Sequence, residues 1–394
     1  MMNSATRRTR FRVSVACGIA LLFSSVSAAR ADLLVLAANP TVWLFDDHTG
    51  TLMNRFEGIG GIGGPETLEG ISIGPDGNVY VTGNTLGWGD VYRFTRNGQF
   101  IGRFATDLPG GGRMTHLVAP GNLTFGPDGN CYVLGGSSLL GAVDDRILRY
   151  NLDGTFMGYF VTNVNARDLN FGRDGQLYVA DANRGIVRYD GKTGAYMDTF
   201  VPIGAAGLPD VDHFIFGPDG NLYICTWSSN AVARYDGNSG QFTDYFVTPG
   251  SGGLDRPRAL AFGLDGDLYV ISYSYNSWGL GAIIRYDGRT GAFLNVMANF
   301  ASLPQSQKAA LINVHGLLFL PPLPQLQINP AGDAVEISWP SSSSARNWTL
   351  SKQRSLEATN QWTVVTNTPV LVGTNYVVTD QRDGIAAFYR LEQR

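Results

Sequence analysis

Charge is what this sequence has least of. Only 16% of its 394 residues are Asp, Glu, Lys or Arg, and the formal charge is −4. Disordered and tail-like chains need the opposite balance, so low charge with 44% hydrophobic residues argues for a folded chain with a real core. No basic stripe runs through it, which argues against nucleic acid or an anionic membrane surface as partner. Beyond the N-terminal segment no apolar run reaches the ~18 residues a membrane span needs. Cysteine is scarce, at Cys17, Cys131 and Cys225 only. No Ser-His-Asp spacing, phosphate-cradling loop or hydride-cofactor fingerprint appears.

The N-terminus reads as a processing signal. Arg7, Arg8, Arg10 and Arg12 precede an apolar stretch from Val13 to about Val26, and Ala29-Arg30-Ala31 has the form of a cleavage site before Asp32. With residues 1–31 as a signal peptide, the mature chain is expected to be secreted or periplasmic, and a monomer. Its removal takes five Arg and no acid, moving the formal charge from −4 to −9. Cys131 and Cys225 then remain, in repeats two apart and offset by three register positions. Period two puts them on opposite strand faces, so two buried free thiols are expected rather than a disulfide.

What the sequence has in abundance is glycine, 50 residues of it, and one phrase. ISIGPDGNVYV (71–81), NLTFGPDGNCYV (122–133), LNFGRDGQLYV (169–179), FGPDGNLYI (216–224) and LAFGLDGDLYV (260–270) are near-copies. Their shared glycines, Gly74, Gly126, Gly172, Gly217 and Gly263, recur every 45 to 52 residues, the period of a stacked unit. Each unit offers four strand-like pieces. In the fourth they are His213–Phe216, Asn221–Cys225, Ala231–Asp236 and Gln241–Val247, with tight-turn chemistry at Gly-Pro-Asp-Gly and at Asp236-Gly237-Asn238-Ser239-Gly240. Four antiparallel strands per repeat is a β-propeller blade. Residues 33–58 match strands two to four of a sixth copy, and Gly316-Leu317-Leu318-Phe319-Leu320 supplies its first strand. A composite blade then closes a six-bladed, all-β ring over residues 32–322.

YVADANRGIVRYDGKTG (178–194) resembles the NHL-repeat propellers and, more loosely, the SMP-30/gluconolactonase group. After the Pro-rich 321–324 the texture changes, and DAVEISWP with Trp339 resembles a strand of a fibronectin type III-like sandwich, expected over 325–394. The repeated Asp-Gly turns lack the alternating oxygen ligands of a calcium loop and read as structure. So do Arg93, Arg149, Arg188, Arg234 and Arg285, which share one register and are expected to pack and pair between neighbouring sheets.

Function is expected where the copies differ, on the face carrying the 2–3 and 4–1 loops. Trp88, Trp227, Tyr273, Tyr275 and Trp278 fall there and suit stacking on a glycan or anchoring a peptide. Just before each first strand the paired residues are Glu69-Gly70, Gly121-Asn122, Arg167-Asp168, Asp212-His213, Arg258-Ala259 and His315-Gly316. The SMP-30 resemblance implies a divalent cation on Glu69, Asn122 and Asp212. His116, His213 and His315, about a hundred residues apart, suggest zinc instead. Two functions follow as expectations. One is a secreted module binding an extracellular protein or glycan through its loop-rich face. The other is a metal-dependent lactonase or lyase at the channel mouth, holding calcium or zinc.

Overall fold

The recurring phrase folds into the same turn each time. Gly217 is pinned because a Cβ there would lie 2.5 Å from Cε2 of Tyr223 and 2.8 Å from Oδ1 of Asp219, while Gly220 takes a φ of 86° that favours glycine. Asp219 accepts the Asn221 N–H through Oδ1 at 3.0 Å and the Tyr223 hydroxyl through Oδ2 at 2.9 Å. The same hydroxyl–carboxylate bond joins Tyr132 to Asp128, Tyr178 to Asp174 and Tyr269 to Asp265. Each of these four turns thereby holds the tyrosine of its second strand.

The computed structural model describes residues 32–37, 41–56, 67–85, 88–105, 117, 120–135, 146–206, 208–273, 281–308, 311, 314–320, 326–331, 333–340, 348–353, 363–381 and 388–393. The chain forms two compact units, one spanning Arg30–Gly74 and Asn78–Pro321, the other containing Pro322–Arg394.

The larger unit opens with β1 (Asp32–Ala37), β2 (Thr41–Asp46) and β3 (Leu52–Arg55). Blade 1 is β4 (Thr67–Ile73), β5 (Val79–Thr85), β6 (Trp88–Phe94) and β7 (Phe100–Arg103). Blade 2 is β8 (Pro120–Phe125), β9 (Cys131–Gly135), β10 (Arg146–Tyr150) and β11 (Phe156–Thr162). Blade 3 is β12 (Ala166–Phe171), β13 (Leu177–Asp181), β14 (Gly185–Tyr189) and β15 (Tyr196–Pro202). Blade 4 is β16 (Phe214–Phe216), β17 (Leu222–Thr226), β18 (Ala231–Tyr235) and β19 (Phe242–Val247). Blade 5 is β20 (Pro257–Phe262), β21 (Leu268–Ser272), β22 (Ala282–Tyr286) and β23 (Phe293–Asn299), and β24 (Val314–Leu320) follows. β24 pairs with β1, giving a composite sheet β24-β1-β2-β3 as blade 6. The six first strands touch in a closed circle, β4-β8-β12-β16-β20-β24 and back to β4. The fold is a six-bladed β-propeller, and pairing its two ends in one sheet removes the exposed edges an open array would leave.

Blades are joined by the tyrosines that the turns hold. Tyr223 lies edge-on to Phe246 of its own blade and Phe262 of the next, with centroids 5.0 and 5.1 Å away. Tyr80, Tyr132 and Tyr178 repeat this double contact. Such pairs contribute about 0.5–1.5 kcal/mol beyond the area they bury. Three of the strand-three arginines act differently from expectation, because they pair within their own blade. Arg188 meets Asp198 and Arg234 meets Asp244, each directly opposite on strand four, while Arg285 meets Asp265 and Asp267. A cross-strand neighbour is ~5 Å away, half the distance to the next sheet, so the near carboxylate wins.

Cys131 and Cys225 are buried free thiols. No helix among the described residues is long and apolar enough to cross a membrane.

Among the described residues the smaller unit has seven strands: β25 (Gln327–Ala331), β26 (Ala334–Pro340), β27 (Trp348–Gln353), β28 (Thr363–Val364), β29 (Val370–Val372), β30 (Asn375–Gln381) and β31 (Phe388–Gln393). They form the sheets β25-β26-β30-β29 and β28-β27-β31. Ile337, Trp339 and Val378 from the first share a core with Leu350 and Tyr389 from the second, which makes a β-sandwich. Asp380 binds Lys352 Nζ at 2.9 Å and the Tyr389 hydroxyl at 2.8 Å, linking the two sheets.

Candidate functional site

The rim of the channel is built on β-bulges. In β4, Leu68 faces Gly83 and Gly70 faces Thr82, so Glu69 stands outside the ladder. Arg167 in β12, Arg258 in β20 and His315 in β24 are extra residues in the same place. In β8, Gly121 and Asn122 together face Leu134. Regular pairing of β16 starts only at Phe214, and the Cys225 N–H donates to the His213 carbonyl at 2.9 Å, which puts Asp212 in the bulge position. Bulges re-aim side chains at sheet ends. Here they produce two tiers. The upper tier is Glu69, Gly121, Arg167, Asp212, Arg258 and His315, and the lower is Gly70, Asn122, Asp168, His213, Ala259 and Gly316.

A cavity of about 700 Å³ opens at this level. Glu69, Asn122, Asp212 and His213 all line it, together with Arg146, Arg167, Arg258, Asp210 and Trp227. Sequence spacing therefore placed four of its proposed cation ligands around one space. The His315 side chain and all of His116 lie outside the described residues.

The lower tier is tied together across three blades. Asp168, 1% exposed, accepts the Asn122 side-chain amide at 2.5 Å, the Leu169 N–H at 2.8 Å and the Phe214 N–H at 3.0 Å. His213 Nε2 stands 3.7 Å from the same carboxyl, and Nδ1 is buried without a hydrogen-bond partner among the described residues. Burial pushes the Asp168 carboxyl up, against the pull of His213 and the three N–H donors. No room exists for a side chain in the adjacent Gly70, whose Cβ would lie 2.6 Å from Asn122 Cα.

The upper tier carries mixed charge. Burial raises the Glu69 carboxyl, opposed by a hydrogen bond with Thr67 and by Arg258. Burial also raises Asp212, opposed by Arg258, His213 and Arg167 in that order. Asp210 is committed to its own loop, accepting the N–H of Trp227 at 2.7 Å and of Ser228 at 2.8 Å and bonding the Ser228 hydroxyl.

Among the described residues no three His, Cys, Asp or Glu groups at this rim bring ligand atoms within 4.8 Å of one another, so Glu69, Asp212 and His213 do not converge. The grouping that meets this distance, Asp46, Asp47 and His48, sits in a hairpin turn whose Asp46 carboxylate already accepts the N–H groups of His48 and Thr49.

Of the aromatic set, Trp227 and Tyr273 come together, with centroids 5.7 Å apart. Both are half-buried. The Arg258 guanidinium lies 4.8 Å from the Trp227 ring and 4.7 Å from the Tyr273 ring, and Arg256 lies 5.4 Å from Trp227. The rings thus serve to fix arginines. Tyr275, Trp278 and the Trp88 side chain lie outside the described residues. Sequence reasoning missed Asp168, Arg167 and Arg258 as site residues, although each occupies the aligned pair before a first strand.

No protein-family model matches the chain, and no curated protein matches it. Solved structures do. The chain is similar to a propeller in a nidogen/laminin complex, with TM-score 0.53 and 15% identity over 74% of this chain and 98% of that one. A protein of unknown function from Bacteroides caccae gives TM-score 0.51 and 14% identity over the same shares. Virginiamycin B lyase from Staphylococcus aureus gives 0.46 and 17%, over 78% of this chain and 91% of that one. At these identities the likeness speaks to the fold alone.

Proposed function

We propose that this protein is a secreted binding module that recognises an extracellular partner through the loop-rich face of its propeller. The observation that carries the reading is the cavity at the channel mouth. It is concave, of a size that receives a small ligand or one projecting group, and lined by charged residues from five blades. The likeness to the propeller of the nidogen/laminin complex supports a protein partner over a free glycan, and the engagement of Trp227 by two arginines agrees with that choice. Within this reading residues 1–31 direct export, 32–322 form an NHL-like propeller, and 325–394 act as a fibronectin type III-like spacer.

The test uses the mature chain from Asp32, immobilised and exposed to the secreted proteins and glycans of its own source. Trp227→Ala and Arg256→Ala on the loop-rich face should abolish binding. Asp236→Ala, in a 3–4 turn of the other face, should leave it intact. Equal loss from both faces would sink the proposal. One equivalent of calcium or zinc in protein purified without chelators, lost in Glu69→Ala, would replace it by the metal-dependent lactonase or lyase reading.

A further inference from the structure

The charges of the cavity are unevenly distributed, and this points to a ligand group. The inference rests on the loop-rich face being the binding face. Arg258 leads the attractions on Asp212 and also acts on Glu69, so its charge is answered by two acids. Arg146 at the start of β10 and Arg167 on the bulge of β12 differ. Neither guanidinium makes an ion pair or hydrogen bond with any described residue, and Arg167 acts on Asp212 only from beyond ion-pair distance. Arg146 is braced by Tyr159, whose ring centroid is 4.7 Å from its guanidinium. The cavity wall beside them is cleared by small residues, Gly121, Gly135, Ala166 and Ala182.

We propose that Arg146 and Arg167 hold a carboxylate group of the ligand, with hydrogen-bond donors of the same ligand turned toward Glu69 and Asp212. Guanidinium groups stay charged under all ordinary conditions and match a two-oxygen acid. A monoanion suits the site better than a dianionic phosphate, because Glu69 and Asp212 share the space and repel each added negative charge. The volume admits one sugar residue or one acidic side chain.

Calorimetric titration of the mature protein with four probes tests this. Glucuronate and N-acetylglutamate α-amide carry the carboxylate, and glucose and N-acetylglutamine amide are their neutral counterparts. At least one acid should bind at millimolar concentration, and its counterpart should be weaker by about tenfold or more. Preference for glucuronate would identify an acidic sugar as the source, and preference for the glutamate derivative an acidic peptide. Arg167→Ala should weaken the acid by about tenfold, and Arg167→Lys by less. Arg167 is exposed, so its melting temperature should not move. The assignment is overturned if neither acid binds, if the neutral probes bind equally, if phosphate binds as tightly, or if Arg167→Ala binds like the wild type. Should the acids fail while Trp227→Ala still abolishes partner binding, the carboxylate assignment falls and the binding face stands.

Discussion

Asp168→Ala should be among the most damaging single changes in the propeller, and the size of the effect follows from what it leaves behind. The carboxyl accepts three N–H groups, from Asn122 of blade 2, Leu169 of blade 3 and Phe214 of blade 4. Asn122 lines the cavity and can turn to water once released. The two backbone donors cannot, and an unmet buried donor costs about 1–3 kcal/mol. Two of them give about 2–6 kcal/mol. Losing a carboxyl that burial already disfavours returns part of this, which puts the net loss near 3 kcal/mol. For a unit of this size that corresponds to a melting temperature lower by roughly 6 °C. Scanning calorimetry is the suitable assay, with Asp198→Ala as control. Asp198 is 45% exposed and pairs with Arg188 across a hairpin, so its loss should cost no more than about 1 kcal/mol. If Asp168→Ala is no worse than Asp198→Ala, the three-blade tie contributes nothing and the reasoning is wrong.

Two further outcomes are expected. Burial holds the Glu69 and Asp212 carboxyls above their ordinary values, so the folded state binds protons more tightly than the unfolded one. Their contribution is most favourable at and below the ordinary carboxylate range and is lost as pH rises through the raised values. Glu69→Gln should therefore raise the melting temperature at neutral pH and change it little near pH ~4. A Glu69→Gln protein less stable than wild type at neutral pH would contradict this. Burial also pushes both thiols up, so neither Cys131 nor Cys225 should react with a disulfide reagent in the folded protein, while both should titrate in denaturant. Reaction of the native protein within minutes would show that one of them is reachable.

Most of the propeller could be read from the chain because its information is local and repeated. Five blades announce themselves by a turn with two glycines, a tyrosine three residues after the second of them, and a further hairpin turn later in the repeat. The composite blade was readable for the same reason, since residues 33–58 carry strands two to four, with TVWLFDDHTGTLMNRF matching AIIRYDGRTGAFLNVM, and lack only a first strand. The strand-three arginines were placed in the right register, and Arg188, Arg234 and Arg285 with the wrong partner. The missing clue was in the sequence as well: Asp198 and Asp244 each follow their arginine by ten residues, the separation this hairpin places face to face. The seven-stranded sandwich was legible as a class from alternation and from Trp339, whereas its two-sheet partition rests on long-range pairing that no local pattern contains.

The site was harder for a physical reason. Two adjacent residues stand at the entry to each first strand, inside it in five blades and just before it in the fourth, and a one-residue bulge decides which of them joins the upper tier and which the lower. A strand of strict period two would send them to opposite faces. The bulge instead keeps both near the channel, one outside the ladder and one within it. Spacing alone therefore gathered Glu69, Asn122, Asp212 and His213 but could not separate Asn122 and His213, which belong with Asp168, from Glu69 and Asp212, which belong with Arg167 and Arg258. A search for metal ligands favours carboxylates and imidazoles, and so it passed over the arginines that the same bulges present. The same one-residue bulge recurs in four of the six first strands while the residues at the upper position are acid, glycine, arginine, acid, arginine and histidine. Side-chain chemistry at the mouth is thus separable from the fold: a residue outside the ladder carries no pairing to lose, so it can vary where the propeller has least stability at stake.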